Sequence, residues 1–172
     1  VVLDPERNGR PVAADGDVAG EAFARGGSLR KVAMMLARDH LYRDPSSLVT
    51  LLGLHDVPRF MGEPGARVDS LKSAFTFLAT ARGIPLVYYG DEWGMPGAGD
   101  PDNRRFMQWG GYTADQQMLR DRIKTLLDIR AAHPAMRRGL RKTIQVSSDV
   151  WLFSMSTVGD DVWVAINRAD GD

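Results

Sequence analysis

The sequence contains no cysteine, which removes disulfides, thiol nucleophiles and sulfur-ligated metal from consideration but fixes no compartment. It has no surplus of charge either, since 22 Lys plus Arg face 22 Asp plus Glu. A neutral chain sets up no long-range field, so neither nucleic acid nor an anionic membrane is expected as a partner. No apolar run approaches the roughly 18 residues that a spanning helix requires. Histidine is scarce: with His40, His55 and His133 alone, and no spaced carboxylate set, no metal site is expected. The first residue is not Met and no signal-peptide pattern follows it. The start of a parent chain is therefore expected to be missing, and localisation and oligomeric state stay open.

What is present is ordinary for a protein that folds in water. Of 172 residues, 44% are hydrophobic and 26% charged, enough apolar side chain for one core. Val1 to Asp17 lack apolar periodicity and are expected to form no element. A short helix is expected around Gly20 to Ala24. Leu29, Val32, Met35 and Leu36 recur at helical spacing behind Ser28, a capping residue, and the pattern ends before Asp44-Pro45-Ser46-Ser47. Leu48 to Leu52 is a short apolar run bounded by turn residues, as in a strand buried on both faces. Val68, Leu71, Ala74, Phe75 and Leu78 predict a helix stopped near Gly83, a residue suited to the left-handed C′ position. Ile84 to Tyr89 is a second short apolar strand.

A long loop, rich in Gly and charge, then runs from Gly90 to Tyr112. Thr113-Ala114-Asp115-Gln116 has the form of a capping box and opens a helix that ends near His133-Pro134. Beyond Gly139 the period falls to two, with strands predicted at Thr143–Val146, Val150–Met155 and Val162–Ile166. This order predicts an α/β fold: successive βα units of a parallel sheet, then an antiparallel meander. Residues 1–138 are expected to form the first domain and 139–172 the beginning of a second.

Polar residues at the C-terminal ends of parallel strands are candidates for chemistry. Two clusters occur there, His55-Asp56 and Asp91-Glu92. The loop adds Asp100-Pro101-Asp102-Asn103-Arg104-Arg105, with Trp93, Trp109 and Tyr112 beside it. Aromatic faces next to carboxylates and Arg suit a sugar, which presents C–H faces to stack and hydroxyls to hydrogen-bond. From the residues alone, a self-paired solvated loop with its own small aromatic core explains the same pattern equally well.

Leu51-Leu52-Gly53-Leu54-His55-Asp56-Val57-Pro58-Arg59-Phe60 resembles the fourth conserved region of the α-amylase family of glycoside hydrolases, family 13. Gly83 to Met95 resembles that family's eighth barrel strand and the loop after it. Asp100 to Arg105 resembles the neopullulanase and maltogenic-amylase form of the loop, and Ile129 to Gly139 the passage into the C-terminal β-domain. The resemblance implies a partial TIM (β/α)8 barrel, its last βα units, followed by an incomplete antiparallel β-domain. It also implies part of a retaining hydrolase of α-1,4-glucosidic bonds in starch-like or maltodextrin substrates, with an α-glucan as partner and the remainder of the barrel required.

Residue by residue, the resemblance implies that Asp56 is the third catalytic carboxylate and His55 its neighbour. Asp100 and Arg104 would bind the next sugars. Trp93 and Tyr89 are further substrate-contact candidates, with Tyr88, Tyr89 and Glu92 also packing the strand end. Leu54 stands where the family commonly has Asn, which reads as a subfamily mark. In the family the nucleophile lies in a Gly-x-Arg-x-Asp segment after the fourth strand, and the acid/base Glu after the fifth. Neither is read in this sequence, so the chain alone is expected to be inactive. No cofactor is expected in it, and calcium is an expectation for the parent protein only. A transferase or isomerase of the same family, and a non-catalytic carbohydrate-binding or transporter-associated relative, remain alternatives.

Overall fold

A computed structural model describes residues 2–3 and 18–169. The helical section opens with α1 (Val18–Phe23) and α2 (Leu29–Ala37). Ser28 caps α2 as its sequence suggests, its hydroxyl accepting the Arg30 N–H at 3.2 Å. Leu29, Val32 and Leu36 form the buried stripe of α2. After the turn at Pro45–Ser47 the chain enters strand β2 (Val49–Leu51), then helix α3 (Val68–Thr80), strand β3 (Ile84–Leu86) and the long helix α4 (Ala114–Ala132). Strands β2 and β3 are parallel, with Leu51 opposite Leu86.

The structure departs from expectation in several places; strand β3, expected to run from Ile84 to Tyr89, ends at Leu86. Val2–Leu3 form a strand, β1, antiparallel to β2, where no element is predicted; its partner lies far along the chain, beyond the reach of local pattern. The rest of that predicted loop lies outside the described residues. Val68 is exposed at the mouth of α3 instead of joining the stripe of Leu71, Ala74, Phe75 and Leu78. Gly83 is left-handed (φ 85°), but Ala81 already caps the helix in an extended conformation, so Gly83 sits one position beyond C′. A Cβ there would lie 2.1 Å from the Leu48 carbonyl oxygen, so only glycine lets the chain cross so close to the start of β2.

The capping box of α4 forms as read: Thr113 Oγ1 accepts from Gln116 N–H at 3.3 Å and Gln116 Oε1 from Thr113 N–H at 3.0 Å. After the short helix α5 (Pro134–Arg138), strands β4 (Leu140–Val146), β5 (Val150–Thr157) and β6 (Asp160–Asn167) make an antiparallel meander. Asp160, the first residue of β6, accepts hydrogen bonds from His133 and from the Ala135 N–H at 2.8 Å each, tying the start of that strand to the start of α5. One face of the meander buries Trp151, Phe153, Met155, Val164 and Ile166 in the same core as the helices. Ring contacts run from Phe23 to Phe77 (5.7 Å), Phe77 to Trp151 (6.4 Å) and Trp151 to Phe153 (4.4 Å).

Candidate functional site

Because β2 and β3 are adjacent and parallel, their C-terminal ends deliver two loops to one place. The first turns sharply: Val57 N–H donates to the Leu54 carbonyl at 3.3 Å. His55 and Asp56 are thereby lifted to the tip, with side chains 53% and 66% exposed and Nε2 to Oδ2 at 3.3 Å. The second loop leaves β3 through Gly90 (φ 86°), makes a helical turn at Asp91–Trp93 and another at Asp102–Arg104.

Arg104 joins the loops. Its Nε lies 3.0 Å from Asp100 Oδ1 and donates to the His55 carbonyl at 3.0 Å, while a terminal nitrogen lies 3.4 Å from Asp56 Oδ1. Four sequence candidates, His55, Asp56, Asp100 and Arg104, thus stand together on the surface. The neighbouring charges are self-paired: Asp102 receives two bonds from Arg105, at 2.7 and 3.0 Å, and one from Ala98 N–H at 2.8 Å. The Arg105 bonds, followed by that of Ala98, hold the Asp102 carboxyl below its usual range.

Tyr89 and Trp93 occupy different settings. Tyr89 is partly exposed and its hydroxyl donates to the Arg105 carbonyl at 2.8 Å, so it lies along the sugar-candidate loop. Trp93 stacks on Tyr112 at 3.6 Å, with Arg120 of α4 over its ring at 5.3 Å. Those contacts hold Trp93 to the α4 side, and no described bond joins it to the surface four.

Beneath the surface four lies a second layer. Arg59 and Asn103 are both 0% exposed. Arg59 donates to the Asn103 carbonyl (2.9 Å), the Tyr89 carbonyl (2.6 Å) and Asp91 Oδ1 (2.9 Å). Its guanidinium lies 4.4 and 4.7 Å from the ring centres of Tyr88 and Tyr89. Asn103 Nδ2 donates to the carbonyls of His55 (2.8 Å) and Val57 (3.0 Å), with that of Leu54 at 3.4 Å. The amide therefore holds the tight turn from behind while Arg104 grips it from in front. Burial pushes the Asp91 carboxyl up to about 7 despite the attraction of Arg59. Gly53 makes the layer possible, since a Cβ there would lie 2.8 Å from Asp91 Oδ2.

Arg59 and Asn103 belong to the same strand-end segments as the four, yet the sequence assigns neither a role. Asn103 stands between Asp102 and Arg104, and Arg59 between Pro58 and Phe60; a charged or amide residue carries no local mark of burial, and the available hint is the place of each at a strand-end loop. Contrary to expectation, the chain does contain a Gly-x-Arg-x-Asp pattern, Gly65-Ala66-Arg67-Val68-Asp69. Those residues open α3 instead of following a strand, and Asp69 is 72% exposed and paired with Lys72 at 2.9 Å, a helix-start role. Glu92 forms no described bond to Asp56, and its Oε2 is buried without a hydrogen-bond partner, which disfavours an Asp56–Glu92 catalytic pair. Among the described residues, no group of three or more His, Asp or Glu is placed to hold a metal.

The sequence profile described as the α-amylase catalytic domain matches residues 28–142. A β/α-amylase of Paenibacillus polymyxa is 34% identical over 156 residues, which is 87% of this chain and 13% of that protein. A cyclomaltodextrinase of Geobacillus thermopakistaniensis is 34% identical over 122 residues, 70% of this chain and 21% of its own length. A crystal structure of a cyclomaltodextrin glucanotransferase with a three-domain arrangement superposes with a TM-score of 0.78 at 30% identity, covering 88% of this chain and 31% of its own. The chain thus spans about a fifth or less of the curated relatives.

Proposed function

The chain belongs to the α-amylase catalytic-domain family, and from that premise we propose that it carries the glucan-gripping side of a retaining α-1,4-glucosidase site. Its fold is that of consecutive βα units of the family's (β/α)8 barrel with an antiparallel sheet after them. The change of architecture near Gly139 is, on the same reading, a domain border.

The observation that carries the proposal is the bridging position of Arg104, bonded to Asp100, to Asp56 and to the His55 carbonyl. It brings the two family-like loops to one surface. Asp56 and His55 accept and donate hydrogen bonds to hydroxyls of the sugar being cleaved. As positive charge develops at the anomeric carbon, a fixed carboxylate attracts the transition state more than the ground state, which is how binding raises rate. Asp100 and Arg104 hold the neighbouring sugar, and Tyr89 offers its ring and hydroxyl along the same loop. Bond breaking needs a nucleophile and an acid/base carboxylate about 5–5.5 Å apart, and Asp56 with Glu92 does not supply them. The whole protein's α-glucan substrates, cleaved as starch or maltodextrin, follow from this reading.

Two experiments test it. Incubated with soluble starch and an aryl maltoside, the purified chain is expected to show no turnover; amylase-like rates abolished by Asp56→Asn would overturn the division of labour. Titrated with maltotetraose, it is expected to show NMR shift changes at residues 54–57 and 100–105 that disappear in Arg104→Ala. Shifts confined to other residues would refute the assigned surface. Transfer in place of hydrolysis is the second reading, favoured by the glucanotransferase likeness, and product analysis of the whole protein separates the two.

A further inference from the structure

The opposite ends of β2 and β3 hold a second concentration of charge that the glucan reading leaves unused. A cavity of about 510 Å³ lies between the end of α2, the turn at Pro45–Ser47 and the junction of α5 with β4. A second cavity of about 260 Å³ adjoins it at the start of β3, and Ser46, Arg137 and Arg138 line both.

Their walls carry five guanidinium groups, Arg82, Arg130, Arg137, Arg138 and Arg141, against two carboxylates, Asp39 and Asp44. That imbalance sits in a chain of zero formal charge. Asp39 is shared, since Arg82 reaches it at 2.8 Å and Arg141 at 3.0 Å, so one carboxylate answers two cations. Arg130 is buried and spends its donors on the carbonyls of Ala79 (2.7 Å), Ala81 (2.8 Å), Met136 (2.9 Å) and Gly83; among the described residues it has no carboxylate. Asp44 is occupied locally, accepting the Ser46 N–H at 2.9 Å and hydroxyl at 2.5 Å. The side chains of Arg137 and Arg138, on the exposed last turn of α5, form no hydrogen bond or close ion pair with described residues, although the charge of Arg138, after the Ser46 hydrogen bonds, helps to hold the Asp44 carboxyl below its usual range. The site therefore has buried, half-neutralised arginines at its back and two exposed forks at its mouth, with Asp44 the nearby carboxylate for one of them.

We propose that this double cavity binds a phosphate group, carried free or on a small sugar. A phosphate presents several oxygens to the planar donor forks of guanidinium, and its two charges answer the excess better than one carboxylate would. The larger cavity falls in the range of small-molecule sites, roughly 300–1,000 Å³, so it has room for a phosphate with a sugar attached. It lies at the strand ends remote from His55 and Asp56, and glucan binding is not required for it.

The test is calorimetric titration of the chain with inorganic phosphate and, separately, glucose 6-phosphate, at ionic strength held constant with NaCl. Saturable binding is expected, weakened about tenfold or more by Arg137→Ala with Arg138→Ala. The matching double Lys variant should keep part of the affinity, and Asp56→Asn all of it. Tighter binding of glucose 6-phosphate identifies a sugar phosphate as the ligand; equal or weaker binding identifies free phosphate. No saturation by either ligand up to about 20 mM, or equal affinity in wild type and the double Ala variant, would overturn the proposal.

Discussion

Two sets of charged and polar residues grow from the ends of the same two strands and live under opposite physical regimes. His55, Asp56, Asp100 and Arg104 face water, where Coulomb attraction is weak and each pair contributes little to stability. Arg59, Asp91 and Asn103 lie directly behind them, shielded, where a missing partner leaves a bare charge or dipole. The sets lie close along the chain: two residues separate Asp56 from Arg59, and Asn103 is next to Arg104. The contrast indicates a division of roles, in which the outer set is free to meet a ligand because the inner set fixes its backbone.

The harshest way to break that contrast is Arg59→Ala, which strands Asp91 and leaves the Tyr89 and Asn103 carbonyls without a donor. A loss of about 3–5 kcal/mol in urea unfolding is expected; a loss near that of a surface substitution would show the inner layer to be no more costly than the outer. Asn103→Ala removes the donor to His55 and Val57, with about 2–3 kcal/mol expected. Hydrogen exchange should rise at residues 54–57 more than in α4.

Asp91 sharpens the comparison through pH. Its folded value, about 7, lies above the ordinary 3.8, so the folded state holds the proton more tightly. The stability this supplies is complete below about pH 4 and is lost as pH rises through 7, at no more than about 1.4 kcal/mol per pH unit. Asp91→Asn should flatten that slope between pH 4 and 7; an unchanged slope would place its origin elsewhere. The smallest effect belongs to the outer set: Asp56→Asn and Arg104→Ala should each alter stability by less than about 0.5 kcal/mol, measured by the same unfolding curves. A larger change in either would erase the distinction between the layers.

How much of this could be read from the sequence follows from the range of the forces involved. The Ser28 cap and the Thr113 and Gln116 capping box are local hydrogen bonds, and both form where the residues suggest. The switch to period two after Gly139 likewise yields three antiparallel strands. The strand-end position of His55 and Asp56 was legible because a short apolar run stops just before them. Burial of Arg59 was not, because its partners Asp91 and Asn103 lie 32 and 44 residues away. The antiparallel pairing of β1 and the exposure of Val68 fail to show for the same reason, since each is decided by what packs opposite. Trp93 illustrates the remaining ambiguity: an aromatic beside acidic residues was a fair sugar candidate, yet its ring is stacked on Tyr112 and covered by Arg120.

The aromatic file from Phe23 through Phe77 to Trp151 and Phe153 has a kinetic consequence. Its members come from an early helix, a middle helix and a late strand, so their contacts close long stretches of chain. Within the meander Trp151 meets Phe153, but its contact to Phe77 needs α3, and Phe77 likewise needs the meander to complete its packing. Complete packing of the file therefore needs both the helices and the sheet, and synthesis that halted before β5 would leave Phe77 without its contact to Trp151.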